Sequence, residues 1–291
     1  MVDCHIHMVL DGAYWKSAIA RHSDGVDIPW IRAVLETYRD AGFTYLRDCG
    51  DRWGVGKTAR KLAGDYGITY RTPLASLYKK GHYGGIIGKP FGTTQEFAAL
   101  VRQNRDEGAD FIKIMISGLM DFDHFGSLTE GGLEDQEIGE LIRIAHEEGM
   151  AVSVHGNGGK NVLAAARAGV DSVEHGAYLT EDALCAMAEA GTVWVPTLST
   201  IGNLRGTGRF SEPDVQKIFE SAIANVSRFA GMGGLIAPGT DAGAWAVPHG
   251  IQSEYALLKQ VLGGETEALL AQGTAVIQKK FRAVSVRTGN G

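Results

Sequence analysis

The stretch MAVSVHGNGGKNVLAAARAGVDSVEH (residues 150–175) decides the fold, because it reads as a strand, a helix and a second strand. MAVSVH (150–155) and VDSVEH (170–175) are short apolar runs, and NVLAAARAG between them has helical spacing and ends in glycine. Two strands joined by a helix in this way lie parallel in one sheet. Each of the two strands also ends in a histidine, His155 and His175.

The same alternation of apolar strands with amphipathic helices runs along the whole chain. Four segments have apolar residues at helical spacing, charged residues on the opposite face and a C-terminal glycine. They are predicted to be helices: IPWIRAVLETYRDAG, TQEFAALVRQNRDEGA, EDQEIGELIRIAHEEG and LTEDALCAMAEAG. The predicted strands are residues 2–7, 43–49, 68–76, 110–116, 150–155, 170–175, 192–197 and 234–241. Eight strands alternating with helices predict an α/β fold, a (β/α)8 TIM barrel. No linker or low-complexity segment interrupts the pattern, so residues 1–291 are predicted to be a single domain, with AVSVRTGNG (283–291) as a frayed tail.

Composition and charge narrow the class of protein. The chain has 291 residues, 44% of them hydrophobic and 21% charged, as in an ordinary globular protein with a sizeable core. Its net charge of −6, without long runs of one sign, argues against a nucleic-acid partner. The three cysteines are far apart and form no CxxC motif, which predicts reduced thiols and a cytoplasmic location. We find no signal peptide and no apolar run of about 18 residues, so no membrane association is expected. Whether the chain forms a homo-oligomer is left open.

Residue types that bind metals recur at the ends of the predicted strands. In DCHIH (3–7), His5 and His7 are two apart and would point to the same side of a strand. His155, His175 and Asp241 end three further strands. In a (β/α)8 barrel the active site lies at the C-terminal ends of the strands. Four histidines and one aspartate there could hold one or two divalent ions, and Zn²⁺ accepts both ligand types.

Lys113, in FIKIM, lies inside an apolar strand, where a charged ammonium is costly to bury. One interpretation is a lysine that reaches solvent or pairs with an acid. Another is a neutral, desolvated amine, which can react with CO₂ to give a carbamate. That anion could bridge two metal ions, so the two interpretations differ in chemistry.

Taken together, DCHIH, FIKIMISG, VSVHGNGG, AGVDSVEHGAYL, WVPTLS and APGTDAG resemble the amidohydrolase superfamily of metal-dependent hydrolases. More narrowly, these segments resemble the subgroup that contains Xaa-Pro dipeptidase-like enzymes and imidazolonepropionase. The resemblance implies that His5, His7 and Asp241 bind the more buried ion and that His155 and His175 bind the second. It implies further that Lys113 is carboxylated and bridges the pair, together with a water or hydroxide.

The resemblance also implies roles in catalysis. Asp241 would accept the water's proton and pass it to the leaving group, with carboxylated Lys113 as the second catalytic residue. His82, in KKGHYGG, and Tyr178, in EHGAYL, are predicted to contact the substrate. Relatives carry strands before the HxH motif that join an accessory β-sandwich. Since this chain begins at Met1-Val2, the barrel is expected without that sandwich.

The predicted function is a binuclear zinc amidohydrolase that cleaves a C–N bond of a small polar molecule, such as a peptide, an N-acyl amino acid or a cyclic amide. One alternative keeps the site but hydrolyses a lactone or an ester, or deaminates a base. The adenosine deaminase branch is disfavoured, since it lacks the strand-four lysine. A further alternative is a non-catalytic barrel that binds a small molecule in a metal-dependent way.

Overall fold

Strands and helices alternate along residues 1–283, which are the residues described by the structure, a computed structural model. The strands are β1 (Val2–Ile6), β2 (Tyr45–Asp48), β3 (Thr69–Arg71), β4 (Leu77–Lys79), β5 (Lys89–Phe91), β6 (Ile112–Met115), β7 (Val152–Gly156), β8 (Ser172–His175), β9 (Val193–Val195) and β10 (Leu235–Ile236). The helices are α1 (Trp15–Ala20), α2 (Ile28–Asp40), α3 (Val55–Leu62), α4 (Thr94–Asp106), α5 (Asp135–Glu147), α6 (Gly159–Arg167), α7 (Glu181–Ala190), α8 (Leu198–Gly202), α9 (Glu212–Gly231), α10 (Ser253–Leu262) and α11 (Thr266–Lys280). The predicted tail lies almost wholly outside the described residues.

The strands form two parallel sheets. One has the order β1-β2-β3, and the other has the order β10-β9-β8-β7-β6-β4-β5. Every pair of strands within residues 1–283 is parallel, which confirms the predicted α/β class with parallel sheets. The central strands β6, β7, β8 and β9 are buried along their whole length, as expected where both faces of a sheet are covered.

Backbone hydrogen bonds join the three-stranded sheet to the seven-stranded one on both of its sides. Beyond β10, Cys4 N donates to Pro238 O at 2.8 Å, and Asp241 N donates to His5 O at 2.8 Å. On the other side, Asp110 N, just before β6, donates to Thr72 O, just after β3, at 2.9 Å. The carboxyl ends of strands from both sheets therefore come to the same side of the molecule.

The predicted third strand differs most from the structure. Residues 68–76 were expected to be extended throughout, but β3 ends at Arg71 and β4 begins at Leu77. Pro73 lacks a backbone N–H, and Leu74 has a φ of 63°, so the strand is interrupted between β3 and β4. The two halves then pair with different neighbours, β3 with β2 and β4 with β6. The additional strand β5 carries Pro90 and lies at a sheet edge, where proline is tolerated.

The helices pack their apolar sides against the sheets, and α2, α4 and α7 begin at residues whose side chains accept a capping hydrogen bond. In α2, the Asp27 side chain accepts a hydrogen bond from Trp30 N, and Ile31, Val34 and Leu35 are buried. The long helix α9 and the helices after it are not among the elements that the sequence patterns predict. Within residues 1–283 no helix is both long and apolar enough to cross a membrane.

Candidate metal centre

The structure brings all six predicted metal ligands to one cavity, at the carboxyl ends of the strands. Their positions along the strands differ. His5, Lys113, His155 and His175 lie within strands, His7 follows the end of β1, and Asp241 lies five residues after β10. The six residues are His5, His7, Lys113, His155, His175 and Asp241.

The first group of ligands surrounds one carboxylate oxygen. Asp241 Oδ1 lies 3.2 Å from His5 Nε2 and 3.0 Å from His7 Nε2. Asp3 holds the chain there, because its carboxylate accepts hydrogen bonds from Thr240 N at 2.9 Å and Thr240 Oγ1 at 2.6 Å. Burial would raise the pKa of Asp241, but the charge of His5 and hydrogen bonds from both histidines lower it well below its usual range. Asp241 is therefore a carboxylate at neutral pH.

The second group of ligands faces the first across the cavity. The rings of His155 and His175 have centroids 4.6 Å apart, and those of His5 and His175 are 4.8 Å apart. His175 Nδ1 lies 2.8 Å from Thr197 Oγ1, which leaves Nε2 free to face the cavity. Burial lowers the pKa of His155 to about 3 and that of His175 well below its usual range. Both imidazoles are therefore neutral, which is the form that binds metals.

Lys113 lies among these groups without a partner of its own. Its side chain is 1% exposed, and Nζ makes no hydrogen bond within the described residues. Burial lowers the pKa of its ammonium, which favours the neutral amine. The interpretation of a lysine that reaches solvent therefore does not hold. A neutral buried amine is the reactant that carbamate formation requires.

A buried ionic network behind His5 was not predicted from the sequence. Glu174 Oε2 accepts a hydrogen bond from His5 Nδ1 at 2.7 Å, while Glu174 Oε1 accepts from Arg47 Nη2 at 2.8 Å. Ser153 and Ser172 also donate to Oε1, at 2.8 and 2.7 Å. Burial would raise the pKa of Glu174, but the Arg47 guanidinium lowers it well below its usual range. In carboxylate–histidine–metal triads, a carboxylate at Nδ1 orients the imidazole ring so that its Nε2 faces the metal.

Cys49, just after β2, is a further donor that the sequence analysis left as an ordinary reduced thiol. It is 2% exposed, and its sulfur lies within 4.8 Å of ligand nitrogens of His5 and His7. Within residues 1–283, a second such group combines His5, His175 and Asp241. A thiolate is a soft ligand that Zn²⁺ accepts readily.

Two of the predicted ligands adopt left-handed backbone conformations. His175 has a φ of 68° and Asp241 a φ of 62°, a region that non-glycine residues rarely occupy. Surrounding bonds impose both conformations. Trp194 Nε1 donates to His175 O at 3.0 Å, and Asp241 N donates to His5 O at 2.8 Å. Such strain persists where neighbouring structure over-determines it, and it is often found at functional sites.

The predicted substrate contacts lie outside this cavity. His82 is partly exposed and lines a neighbouring cavity with Trp15 and Arg52. Tyr178 is partly buried, with its ring centroid 5.6 Å from that of Phe125. Their roles in substrate binding stay predictions. Tyr83, next to His82, does line the main cavity, and its ring lies 4.8 Å from that of His155.

Comparisons with known proteins give the family and several relatives of this chain. The model of the amidohydrolase family matches residues 1–251. An uncharacterised protein of Mycobacterium tuberculosis is 27% identical over 92% of this chain and 70% of its own length. Ochratoxinase of Aspergillus niger is 25% identical over 88% of this chain and 59% of its own length, and imidazolonepropionase of Paracoccus denitrificans is 26% identical over 71% and 58%.

Solved structures show the same fold. A Xaa-Pro dipeptidase with bound methionine superposes with a TM-score of 0.76, at 23% identity over 96% of this chain and 74% of that one. The structure of the A. niger ochratoxinase gives 0.77, at 22% identity over 97% and 71%. The family model matches well over half of the chain, so the resemblance seen in the sequence is confirmed and the chain belongs to the amidohydrolase family of hydrolytic enzymes.

Proposed function

We propose that this protein is a binuclear metal-dependent amidohydrolase that cleaves an amide or peptide C–N bond of a small molecule. The observation that carries the proposal is the unpartnered Lys113 Nζ, buried among four histidines and Asp241. A buried polar atom without a partner is costly, and a bound group that it contacts would offset the cost. His7 Nδ1, in the same cavity, also lacks a hydrogen-bond partner within the described residues, which supports the same interpretation.

The residues present fit two divalent ions. His5, His7 and Asp241 would hold one ion, and His155 and His175 the other, with carboxylated Lys113 between them. Zinc is the metal we propose, since imidazole, carboxylate and thiolate donors all suit it. Bound ions would polarise the scissile carbonyl and lower the pKa of the attacking water.

The chain's own residues would perform the proton transfers. Asp241, ionised in the folded protein, accepts a proton from the attacking water and delivers it to the nitrogen of the leaving amine. The water's oxygen joins the acyl carbon as the C–N bond breaks, giving a carboxylate and an amine. The Glu174 carboxylate keeps His5 in the tautomer and orientation that this site needs.

We also propose that the two sheets form one (β/α)8 barrel, within a single domain. The backbone hydrogen bonds on both sides of the three-stranded sheet support closure, as does the meeting of strand ends from both sheets at one cavity. A ring of eight strand positions would place the ligands of β1, β6, β7 and β8 around one axis.

Metal content per chain tests the proposal most directly. Protein purified without chelator should contain about two ions per chain by elemental analysis, and Lys113→Met should contain fewer. Lys79→Met is the matched control, because Lys79 also lies on a strand but pairs with Glu137 at 2.6 Å. Growth with ¹³C-bicarbonate should give the wild type, and not Lys113→Met, a carbamate carbon signal. Two ions retained by Lys113→Met would refute the bridging role.

Release of an amine, measured on dipeptides, N-acyl amino acids and lactams, tests the reaction itself. Lactones and esters are included because they would use the same residues. Metal without turnover of any of these substrates would favour the non-catalytic binding alternative. Turnover of lactones alone would mean that the enzyme cleaves a C–O bond and not the proposed C–N bond.

A further inference from the structure

The cavity that contains the predicted metal ligands is mostly apolar. It has a volume of about 400 Å³, and its walls include Ile86, Met115, Met120, Phe122 and Phe210. That size suits one compact organic molecule. Most of a bound molecule's surface would contact hydrocarbon and aromatic side chains, so an apolar body would gain the most from entering.

Large exposed aromatic side chains lie at the same cavity. Tyr14, Trp15 and Trp245 line it and are 56%, 44% and 36% exposed. These are among the most exposed large hydrophobic residues of the described chain. Apolar side chains gathered in one exposed place commonly mark a binding site. Here they extend the apolar wall of the cavity outward to its mouth.

The charges in the cavity are sharply unequal. Within residues 1–283, Asp241 is the only carboxylate that lines it, and the proposed chemistry occupies that group. Apart from Lys113 and the histidines, which the proposed chemistry also occupies, Arg209 is the one basic residue that lines it within the described residues. The Arg209 guanidinium lies 3.9 Å from the ring centroid of Trp245 and forms no ion pair within the described residues. An anionic group of the substrate would find a partner here, whereas an ammonium would find none.

We propose that the substrate is an N-acylated amino acid with an apolar, preferably aromatic, acyl group and no free ammonium. This inference rests on the proposed function. The acyl group lies against the apolar wall, and the carboxylate of the amino acid pairs with Arg209. Hydrolysis breaks the C–N bond, transfers the water's oxygen to the acyl carbon and its proton to nitrogen, and yields an apolar carboxylic acid and the free amino acid. The substrate is thus less polar than the sequence analysis expected.

Two matched ligands test the inference. N-(3-phenylpropanoyl)-L-leucine is L-phenylalanyl-L-leucine without its ammonium group, so the two differ by one charge. Stopped-flow quenching of tryptophan fluorescence on the metal-loaded protein gives Kd before turnover, and amine release from the same mixtures gives the reaction. An unpaired ammonium in the cavity should weaken binding of the dipeptide by about tenfold or more.

A series of acyl chains tests the apolar wall separately. From N-acetyl- to N-butanoyl- to N-hexanoyl-L-leucine, Kd should fall by roughly threefold to fourfold for each added CH₂ that is buried. A Kd that does not change along the series would overturn the assignment of an apolar acyl group.

Arg209→Gln tests the carboxylate contact. It should weaken binding of the acid by about fivefold, as for a partly exposed charge pair, and leave the methyl ester within twofold. Arg205→Gln is the matched control, since exposed Arg205 packs on Phe219 and does not line the cavity. Equal losses for acid and ester would overturn the contact.

The two readouts separate this inference from the proposed function. Selective binding of the N-acyl compound without amine release would refute hydrolysis and support the substrate class. Amine release with equal or tighter binding of the dipeptide would support hydrolysis and overturn the substrate class.

Discussion

Replacing Glu174 by glutamine should separate the support of His5 from its direct role. The side chains of Glu174 and Arg47 are 0% and 1% exposed and lie 2.8 Å apart. A glutamine can keep an oxygen facing Arg47, Ser153 and Ser172, which all contact Oε1. It then places its NH₂ group opposite His5 Nδ1, where the carboxylate oxygen had accepted a hydrogen bond. His5 must accept at Nδ1, so its proton moves to Nε2, the nitrogen that would bind metal.

Two magnitudes follow from this geometry. Removing one charge of a buried ion pair costs about 3–5 kcal/mol, and we expect the lower end because the glutamine oxygen stays with Arg47. Losing the oriented tautomer should weaken metal affinity by about 10- to 100-fold. Urea unfolding of chelator-treated protein measures the first effect without metal. Competition with a chromophoric chelator measures the second effect.

Glu254→Gln is the matched control for Glu174→Gln. Glu254 is also 0% exposed, but it accepts hydrogen bonds from Ser199 and lies away from the predicted ligands. Its replacement should keep the metal affinity and should not destabilise the fold. Unchanged metal affinity in Glu174→Gln, or an equal loss in both variants, would refute the proposed support of His5.

Three further variants have expected outcomes. Cys49→Ser should remove a sulfur-to-cobalt absorption band from the Co²⁺-substituted protein, whereas Cys4→Ser, a buried thiol within β1, should retain the band; no difference between them would exclude the thiol as a ligand. Burial raises the pKa of Glu254 to about 8 from 4.5, so the folded state holds its proton longer than the unfolded state and stability is lost as pH rises through this window. In urea unfolding, the free energy of unfolding of Glu254→Gln should therefore rise relative to that of the wild type between about pH 5 and pH 8. A difference in free energy that stays constant over this range would contradict the raised pKa. Gly239→Ala should lower metal content, because a Cβ there would lie 2.8 Å from His5 Cβ and 2.4 Å from Val195 Cγ1; normal metal content would show that β1 can shift without loss.

The placement of the predicted ligands was accessible from the sequence for a simple reason. His155 and His175 end apolar runs, and in a parallel sheet the carboxyl ends of all strands lie on the same side. Lys113 was accessible because a cation within an apolar strand is costly. Arg47 and Glu174 are also charged residues inside strands, and the same criterion would have found them.

Other features were not accessible from strand periodicity. Alternation would place Glu174 and His175 on opposite faces, yet both approach His5, since the φ of 68° at His175 turns the chain at the strand end. Arg209 and Trp245 come from loops, whose paths no periodic pattern specifies. The apolar character of the cavity depends on those loops, so the sequence pattern predicted the metal ligands better than the surroundings of the substrate.

The pairing of β1 with the segment after β10 has a consequence for biosynthesis. Asp3 and Thr240, whose hydrogen bonds hold Asp241 beside His5, are 237 residues apart in the chain. At a translation rate of about 5–20 residues per second, His5 and His7 leave the ribosome roughly 10 to 50 s before Asp241 does. During that interval the two histidines lack the third ligand, Asp241, and any cation they meet would have only two protein ligands. The cellular metal pool at the moment of synthesis would then influence which ion the finished enzyme carries.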